Sequence, residues 1–591
     1  QKDNRNNINT TLRLNYDLSS LLTKGLSVHG SIAYDSYYYS RKKYSKTFPY
    51  YLARRDAEDP DYIYLIPQSE ESIWSVSTGW DKNRKVYMEF GIDYNRTFGL
   101  HKTTALILYN QSKYYSPSLQ YYVPNAYQGL VGRLTYEYAS RYLAEFNMGY
   151  NGTENFAKGK RFGFFPAVSL GWVISEEKFF PKNNIVKYLK VRGSYGEVGN
   201  DQIGGDRFLY LPSSYGAASD SGVNKYNFGL ASNPYTSLMI VENKIGNPDL
   251  TWEKAKKMNV GVDINLFNNC LTASFDIFKE KRNNILANRS TSPMIIGANL
   301  PAYNFGEMEN RGWEMDLNFR HHIQDFHYWA RFNYSFARNE IIYMDEVQKR
   351  YDYQMTTGRR KNQFFGLIFD GYYNSWEEIN ALDRPKSSWS GNQLQPGDVK
   401  YVDVNQDGVI DDYDMVPIGY TPVPEIIYGF SFGAQYKGFD FSILFQGADN
   451  VSIKYFGRSM WPFAKGEESA KSLIKERWTQ ERYEAGEKIT FPRLSLNPNG
   501  ETDHNYRPST LWIRDASYLR LKNLEVGYTF TGGFVKRLNL NSVRLYFNGS
   551  NLFTWTDVVD LDPEAPSRSG NVEINTYPLQ KVYNIGLNIN F

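Results

Sequence analysis

Residues 258–266, MNVGVDINL, decide the fold. Met258, Val260, Val262, Ile264 and Leu266 alternate without a slip with Asn259, Gly261, Asp263 and Asn265. A period of two puts alternate side chains on opposite faces of an extended strand. Directly afterwards Leu271, Ala273, Phe275 and Ile277 alternate with Thr272, Ser274 and Asp276. Only Phe267-Asn-Asn-Cys270 intervenes, so the pair reads as a hairpin.

The same pattern holds at Ile8 to Tyr16, Leu26 to Tyr34 and Val543 to Phe553, and it closes the chain at Tyr583, Ile585, Leu587, Ile589 and Phe591. Between Tyr518 and Phe530 the parity shifts between Leu521 and Leu524, as a β-bulge would cause. Seventeen strands are expected, at 7–17, 25–37, 85–97, 101–113, 128–139, 141–151, 162–174, 188–199, 253–267, 269–286, 310–321, 325–341, 424–437, 438–449, 514–530, 541–553 and 580–590. Strands of a soluble sandwich average about 5–6 residues, whereas about 9–11 residues with one apolar face cross a bilayer at a tilt.

The connections sort by length. Read back from Phe591, they alternate between long (554–579, 450–513, 342–423, 287–309, 200–252, 38–84) and short (531–540, Lys437-Gly438, 322–324, Asn268, 175–187, 98–100, 18–24). A transmembrane barrel has short periplasmic turns and long extracellular loops. The expected fold is therefore all-β, a transmembrane antiparallel β-barrel in an outer membrane. With the last strand ending in the periplasm, the first expected strand also descends. Bacterial barrels use even strand numbers, and the large transporters close at about 22 around a plugged lumen. The reading is thus of 1–591 as the C-terminal portion of a larger barrel, with a plug and about five strands preceding it.

Composition agrees. Aromatic residues make up 16% of the chain, with 49 Tyr and 36 Phe, which suits strands with one wet and one apolar face. Net charge is +3 from 67 basic and 64 acidic residues, so no nucleic-acid partner is expected. The single Cys270 excludes an internal disulfide framework and a cysteine-rich zinc site. No apolar run is long enough for a transmembrane helix, and QKDNRNNINTT at the N-terminus lacks the character of a signal peptide.

Inside the longest loop, residues 403–414 read DVNQDGVIDDYD. In the spacing of an EF-hand loop, Asp403, Asn405 and Asp407 hold positions 1, 3 and 5, and Gly408 allows the sharp turn. The Val409 carbonyl, Asp411 and Asp414 fill positions 7, 9 and 12. Carboxylates about 4 Å apart repel by ~4 kcal/mol per pair at an effective dielectric near 20. A divalent cation relieves that repulsion, and Ca2+ in a structural role is expected, with the weak affinity of extracellular modules. Asp414 stands where an EF-hand has Glu, so its reach is shorter. An Asp/Asn/Gly-rich surface turn is the other reading, and another divalent ion remains open.

No catalytic constellation emerges, and no enzyme is expected. Gly429-Phe-Ser-Phe-Gly433 spells G-x-S-x-G, but Ser431 lies within an alternating strand and not at a strand-turn-helix elbow. His321, His322 and His327 flank an expected periplasmic turn without a metalloprotease repeat, and read as solvated. Tyr37, Tyr38, Tyr39, Tyr114 and Tyr115 fit an interfacial aromatic girdle. Trp461, Trp376 and Tyr455 in the long loops either stack on sugar rings or peptide side chains, or stiffen the loops. No substrate contact can be assigned.

The segments RFGFFPAVSLGWVISEE (161–177), VRGSYGEVGND (191–201), NPDLTWEKAKKMNVGVDINLFNNCLTASFDIFKEKRNNIL (247–286), PGDVKYVDVNQDGVIDDYD (396–414), YGFSFGAQYKGFDFSILFQG (428–447) and LWIRDASYLRLKNLEVGYTF (511–530) resemble, in order, the SusC/RagA family of TonB-dependent outer-membrane transporters. The resemblance implies a 22-stranded barrel with an N-terminal plug, energised by TonB, ExbB and ExbD. It also implies a SusD-like surface lipoprotein as lid, capture of an oligosaccharide or peptide, contact with outer-membrane lipid, and a dimer of transporter–lid pairs. Phe591 would then belong to the signal read by the barrel-assembly machinery. The alternative is an adhesin or carbohydrate-binding β-protein whose loops bind without transport; such repeat proteins show a fixed period, which this chain lacks.

Overall fold

The computed structural model describes all residues except 56–57, 60, 203–206, 213–215, 218–224, 231–234, 242–244, 292–299, 390–393, 456–460, 464–471, 496–502, 560, 565–570 and 573–577. It divides into two compact units: Gln1–Ala139, Leu143–Val168 and Gly199–Trp252 in the first, and Ser140–Tyr142, Ser169–Val198 and Glu253–Phe591 in the second.

In the first unit β1 (Lys2–Asp17), β2 (Leu26–Ser45), β3 (Ser75–Phe98), β4 (His101–Tyr115) and β5 (Asn125–Tyr138) pair antiparallel, each with the next in sequence. Next along the chain are β6 (Tyr142–Thr153), β7 (Phe162–Val173) and β8 (Val186–Asn200). The second unit holds a meander of nine more. These are β9 (Glu253–Leu266), β10 (Leu271–Ala287), β11 (Tyr303–Ile323), β12 (Phe326–Tyr343), β13 (Ile426–Tyr436), β14 (Phe439–Asp449), β15 (Tyr518–Phe530), β16 (Ser542–Thr556) and β17 (Val582–Asn590). Each of these pairs antiparallel with its successor. All seventeen expected strands are present.

The register shows why the alternation matters. From β9 to β16, Ile264, Ala273, Leu317, Phe332, Phe430, Phe445, Leu521 and Phe553 are successive cross-strand partners. One residue away, on the other face, the partners are Asp263, Ser274, Asp316, Asn333, Gly429, Gln446, Arg520 and Thr554. Eight strands thus hold one apolar and one polar face in register. In the first unit Leu14, Gly30, Phe90, Tyr109 and Leu130 form one row, and Arg13, Ser31, Glu89, Asn110 and Gly129 the next. Ile277 is 56% exposed, Phe553 58% and Phe90 54%. A continuous bare apolar face of this kind is stable only against hydrocarbon.

Connections at one end of the sheet are all short, whereas those at the other end are mostly long, with 116–124 and 154–161 the exceptions. The short ones are 18–25, 99–100, 139–141, 174–185, 267–270, 324–325, 437–438 and 531–541; the strands between them are separated by 46–74, 116–124, 154–161, 201–252, 288–302, 344–425, 450–517 and 557–581. At the β13–β14 turn Lys437 and Gly438 both take positive φ (44° and 90°). A Cβ on Gly438 would lie 2.8 Å from the Thr529 carbonyl of β15, so the turn needs glycine for space as well as conformation.

Strand ends differ from the sequence reading, most of all at four places: β1 starts at Lys2, β2 runs on to Ser45, β3 starts at Ser75 and β11 at Tyr303, because strand ends beyond the membrane are wet on both faces and lose the apolar alternation. The expected strand 514–530 is two pieces. Ile513–Asp515 pairs with Ser452–Tyr455, and β15 starts only at Tyr518. The expected bulge is there, between Leu521 and Asn523.

Candidate functional site

The described residues of the loops 344–425, 450–517 and 557–581 pack together. Among their described residues, Leu367, Val399, Tyr401, Ile410, Tyr455, Trp478, Phe491, Tyr506, Trp512 and Val558 share one buried core. Polar groups stitch the loops together. The Tyr401 hydroxyl donates to His504 O (2.7 Å), the Asn505 amide donates to Asp398 Oδ1 (2.7 Å), and Trp512 Nε1 donates to Asn505 O (2.8 Å). The Tyr455 hydroxyl donates to Val559 O (3.2 Å) and accepts from Val559 N (2.9 Å). The loops therefore make a folded outer module with little freedom to collapse.

Two of the three loop aromatics go to this core. Tyr455 is buried and Trp461 packs on Tyr506, ring centroids 6.1 Å apart, whereas Trp376, opening a short helix Trp376–Asn380, is 56% exposed. Ser431 lies in β13 opposite Arg331 and Leu444, so no nucleophile elbow exists there. Tyr39 is flanked by the guanidinium groups of Arg5 and Arg41, 5.5 and 5.4 Å from its ring, and Tyr115 by Arg84 at 4.5 Å. Cation-π contacts of this kind suit a membrane-surface belt.

The segment 403–414 forms a compact loop with Gln406 and Gly408 at positive φ. Asp403 Oδ2 accepts from Gly408 N (2.8 Å), Asn405 Oδ1 from Asp407 N (3.0 Å), and Asp407 Oδ1 from Val409 N (2.9 Å). Asp411 caps the following turn by accepting from Tyr413 N, 2.7 Å. Asp414, fully buried, accepts from Val404 N (2.8 Å), Asn405 N (3.4 Å) and Asp411 N (2.9 Å). Burial pushes the Asp414 carboxyl above the usual range despite those three N–H groups, and the neighbouring Asp403 charge adds to the rise. Asp403 Oδ1 is buried and has no hydrogen-bond partner. An orphaned carboxylate oxygen beside a raised carboxyl is a donor set that fits a hard cation. As placed, no three His, Cys, Asp or Glu side chains among the described residues close on a common ion position.

A second feature has no counterpart in the sequence pattern. A cavity of about 320 Å³ is lined by Glu280, Arg282, Asn310, Asn339, Lys361 and Glu425, among others. Glu280 pairs with Arg282 (3.0 Å) and Lys257 (3.3 Å), and Glu425 with Arg338 (2.8 Å) and Arg360. Charges of both signs and two amides thus share one polar recess. Its members come from five separate segments of the chain, so no local motif could have announced it.

Residues 1–552 match the family described as TonB dependent receptor-like, beta-barrel. SusC of Bacteroides thetaiotaomicron is 28% identical over 477 residues, covering 80% of this chain and 44% of that protein. A TonB-dependent receptor of Formosa agariphila is 28% identical over 479 residues, covering 78% and 45%. The solved structure of the RagAB peptide transporter superposes with a TM-score of 0.71 at 20% identity, covering all of this chain and 62% of that one; this is a likeness of fold. The chain spans less than half the length of these curated relatives.

Proposed function

Because this chain belongs to the TonB-dependent receptor-like β-barrel family, in its SusC/RagA-like branch, and so to the outer membrane, we propose that it is the barrel part of an active importer of an oligomeric nutrient. In this reading TonB, ExbB and ExbD supply the energy, and a SusD-like surface lipoprotein closes over the outer module, two such pairs forming a dimer. The polar row from Asp263 to Gln446 carries the proposal: it lines one face of six strands with groups that a hydrophilic oligomer can exchange for water. The mixed-sign recess at Glu280, Arg282, Lys361 and Glu425 favours a zwitterionic oligopeptide. Exposed Trp376 favours a glycan as the second reading. Catalysis has no part in either.

A deletion strain grown on peptide mixtures and on polysaccharides as sole nutrient tests this. Selective loss of growth on peptides supports the first reading and loss on a polysaccharide the second; unchanged growth on both, with unchanged uptake of labelled oligomers, refutes import.

We also propose that Asp403, Asn405, Asp407, the Val409 carbonyl, Asp411 and Asp414 hold Ca2+ as a structural ion. With a Kd of about 0.1 mM, 1 mM calcium would stabilise the loop by ~1.4 kcal/mol. Calcium should slow protease cleavage near 403–414, and Asp407→Ala should abolish the effect. Calorimetry without a calcium heat, together with equal cleavage in calcium and in chelator, would remove the ion from the account.

A further inference from the structure

Four metal-ligating side chains gather at the short-connection end of the second unit. Cys270 immediately precedes β10, and His321, His322 and His327 flank the tight turn between β11 and β12. β10 and β11 are neighbours in register, Leu271 opposite Phe319, and Arg320 N donates to Cys270 O at 2.7 Å. This pairing brings Cys270 Sγ to 3.4 Å from His321 Nδ1. Across the adjacent hairpin His322 lies directly opposite His327. Their rings stack with centroids 5.5 Å apart, and the His321 ring is 6.0 Å from that of His322. The three imidazoles are exposed and Cys270 is half-buried, so an ion can reach them without unfolding.

The separation, that of a thiol–imidazole hydrogen bond, is also the one a shared ion would impose. A tetrahedral ion bound at about 2.3 Å to sulfur and about 2.0–2.1 Å to imidazole nitrogen holds those two donors roughly 3.5 Å apart. From this match we propose that Cys270 and His321 form a bidentate site for a borderline-soft transition ion, with Zn2+ the type case, and that His322 and His327 are the nearest donors to complete it. Among the described residues no three such groups converge as placed, so binding recruits an imidazole by rotation, or water. Thiolate and imidazole select against the hard ions that suit the carboxylate loop. Binding transfers the thiol proton to solvent and uses neutral imidazole; no electron changes hands. The site does not depend on the import reading, and sequence spacing alone could not show it, since 270 and 321 meet only through strand pairing.

Titration of the detergent-extracted full chain with Co2+ tests the proposal, because thiolate ligation produces a sulfur-to-cobalt charge-transfer absorption that oxygen or imidazole ligands do not. Wild type should gain the band and saturate near one equivalent. Cys270→Ser should abolish it, and His321→Ala should weaken binding by about tenfold or more, since even outer-shell partners cost that much. His322→Ala and His327→Ala should weaken the ligand-field bands while sparing the charge-transfer band. Heat-modifiable mobility checks that each variant folds. Absence of the band in wild type at excess Co2+, which would leave only a thiol–imidazole hydrogen bond, overturns the proposal. So does a band that survives in Cys270→Ser.

Discussion

Replacing Arg520 by Met should release the 557–581 loop from the sheet. Arg520 is 2% exposed in its position on β15. Its guanidinium donates to Asp562 (2.7 Å), Glu564 (2.5 Å) and the Thr554 hydroxyl (3.0 Å). Asp562 in turn orders the loop by accepting from Glu564 N and Leu579 N, both at 2.9 Å. Removing the cation leaves Asp562, its side chain only 7% exposed, without a counter-charge, while Glu564 keeps the Tyr518 hydroxyl and Lys522, and breaking a buried pair from one side costs about 3–5 kcal/mol. At about 1.4 kcal/mol per factor of ten, the amides of Glu564 and Leu579 should exchange hydrogen roughly 10² to 10⁴ times faster. The Lys522→Met control removes only a half-exposed partner of Glu564 at 3.5 Å, worth at most ~1 kcal/mol. Adding Asp562→Asn and Glu564→Gln to Arg520→Met should restore much of the protection. Less than a threefold change in the single variant, or no recovery in the triple, would refute the reasoning.

Two further outcomes follow from the packing. His504 is buried, its Nε2–H donating to Val399 O (2.8 Å) and its Nδ1 facing the Ser387 hydroxyl (2.9 Å), and burial lowers its pKa below the ordinary value despite Val399 O, Asp398 and Asp503, with Arg384 adding to the fall. A depressed folded pKa means its contribution to stability is complete above about pH 6.5 and is lost as pH falls through the folded value. Protease resistance of the outer module should therefore drop on acidification, and His504→Gln should flatten that dependence. On β11, a Cβ at Gly312 would lie 2.0 Å from the Phe336 carbonyl and 3.0 Å from Ala337 Cα, whereas one at Gly79 would meet nothing within 4 Å. Gly312→Ala should lower the yield of heat-modifiable barrel sharply and Gly79→Ala should leave it unchanged.

Most of the sheet was legible in the sequence because each membrane-crossing strand sees oil on one face and polar groups on the other, and that contrast is written residue by residue, as in Val260-Gly-Val-Asp263. Legibility ended where the contrast ended. Outer strand extensions such as 38–45 and 75–84 are wet on both sides. The outer module leaves no periodic trace because its core residues, Leu367, Val399, Trp478 and Trp512 among them, come from three separate connections with no shared period. Loop 403–414 announced its turn and its oxygens through local spacing. Cys270 with His321, and Glu280 with Glu425, meet only through register and tertiary packing, which one-dimensional spacing does not encode.

The central claim is that one face of this sheet meets lipid and the other does not. Single spin labels placed in turn at residues 271–277, in a Cys270→Ser background reconstituted into bilayers, test it through collision with oxygen, which concentrates in hydrocarbon, and with a water-soluble nickel complex. Labels at 271, 273, 275 and 277 should be oxygen-accessible and shielded from nickel, and those at 272, 274 and 276 the reverse. Equal nickel access at odd and even positions would contradict the membrane-spanning account.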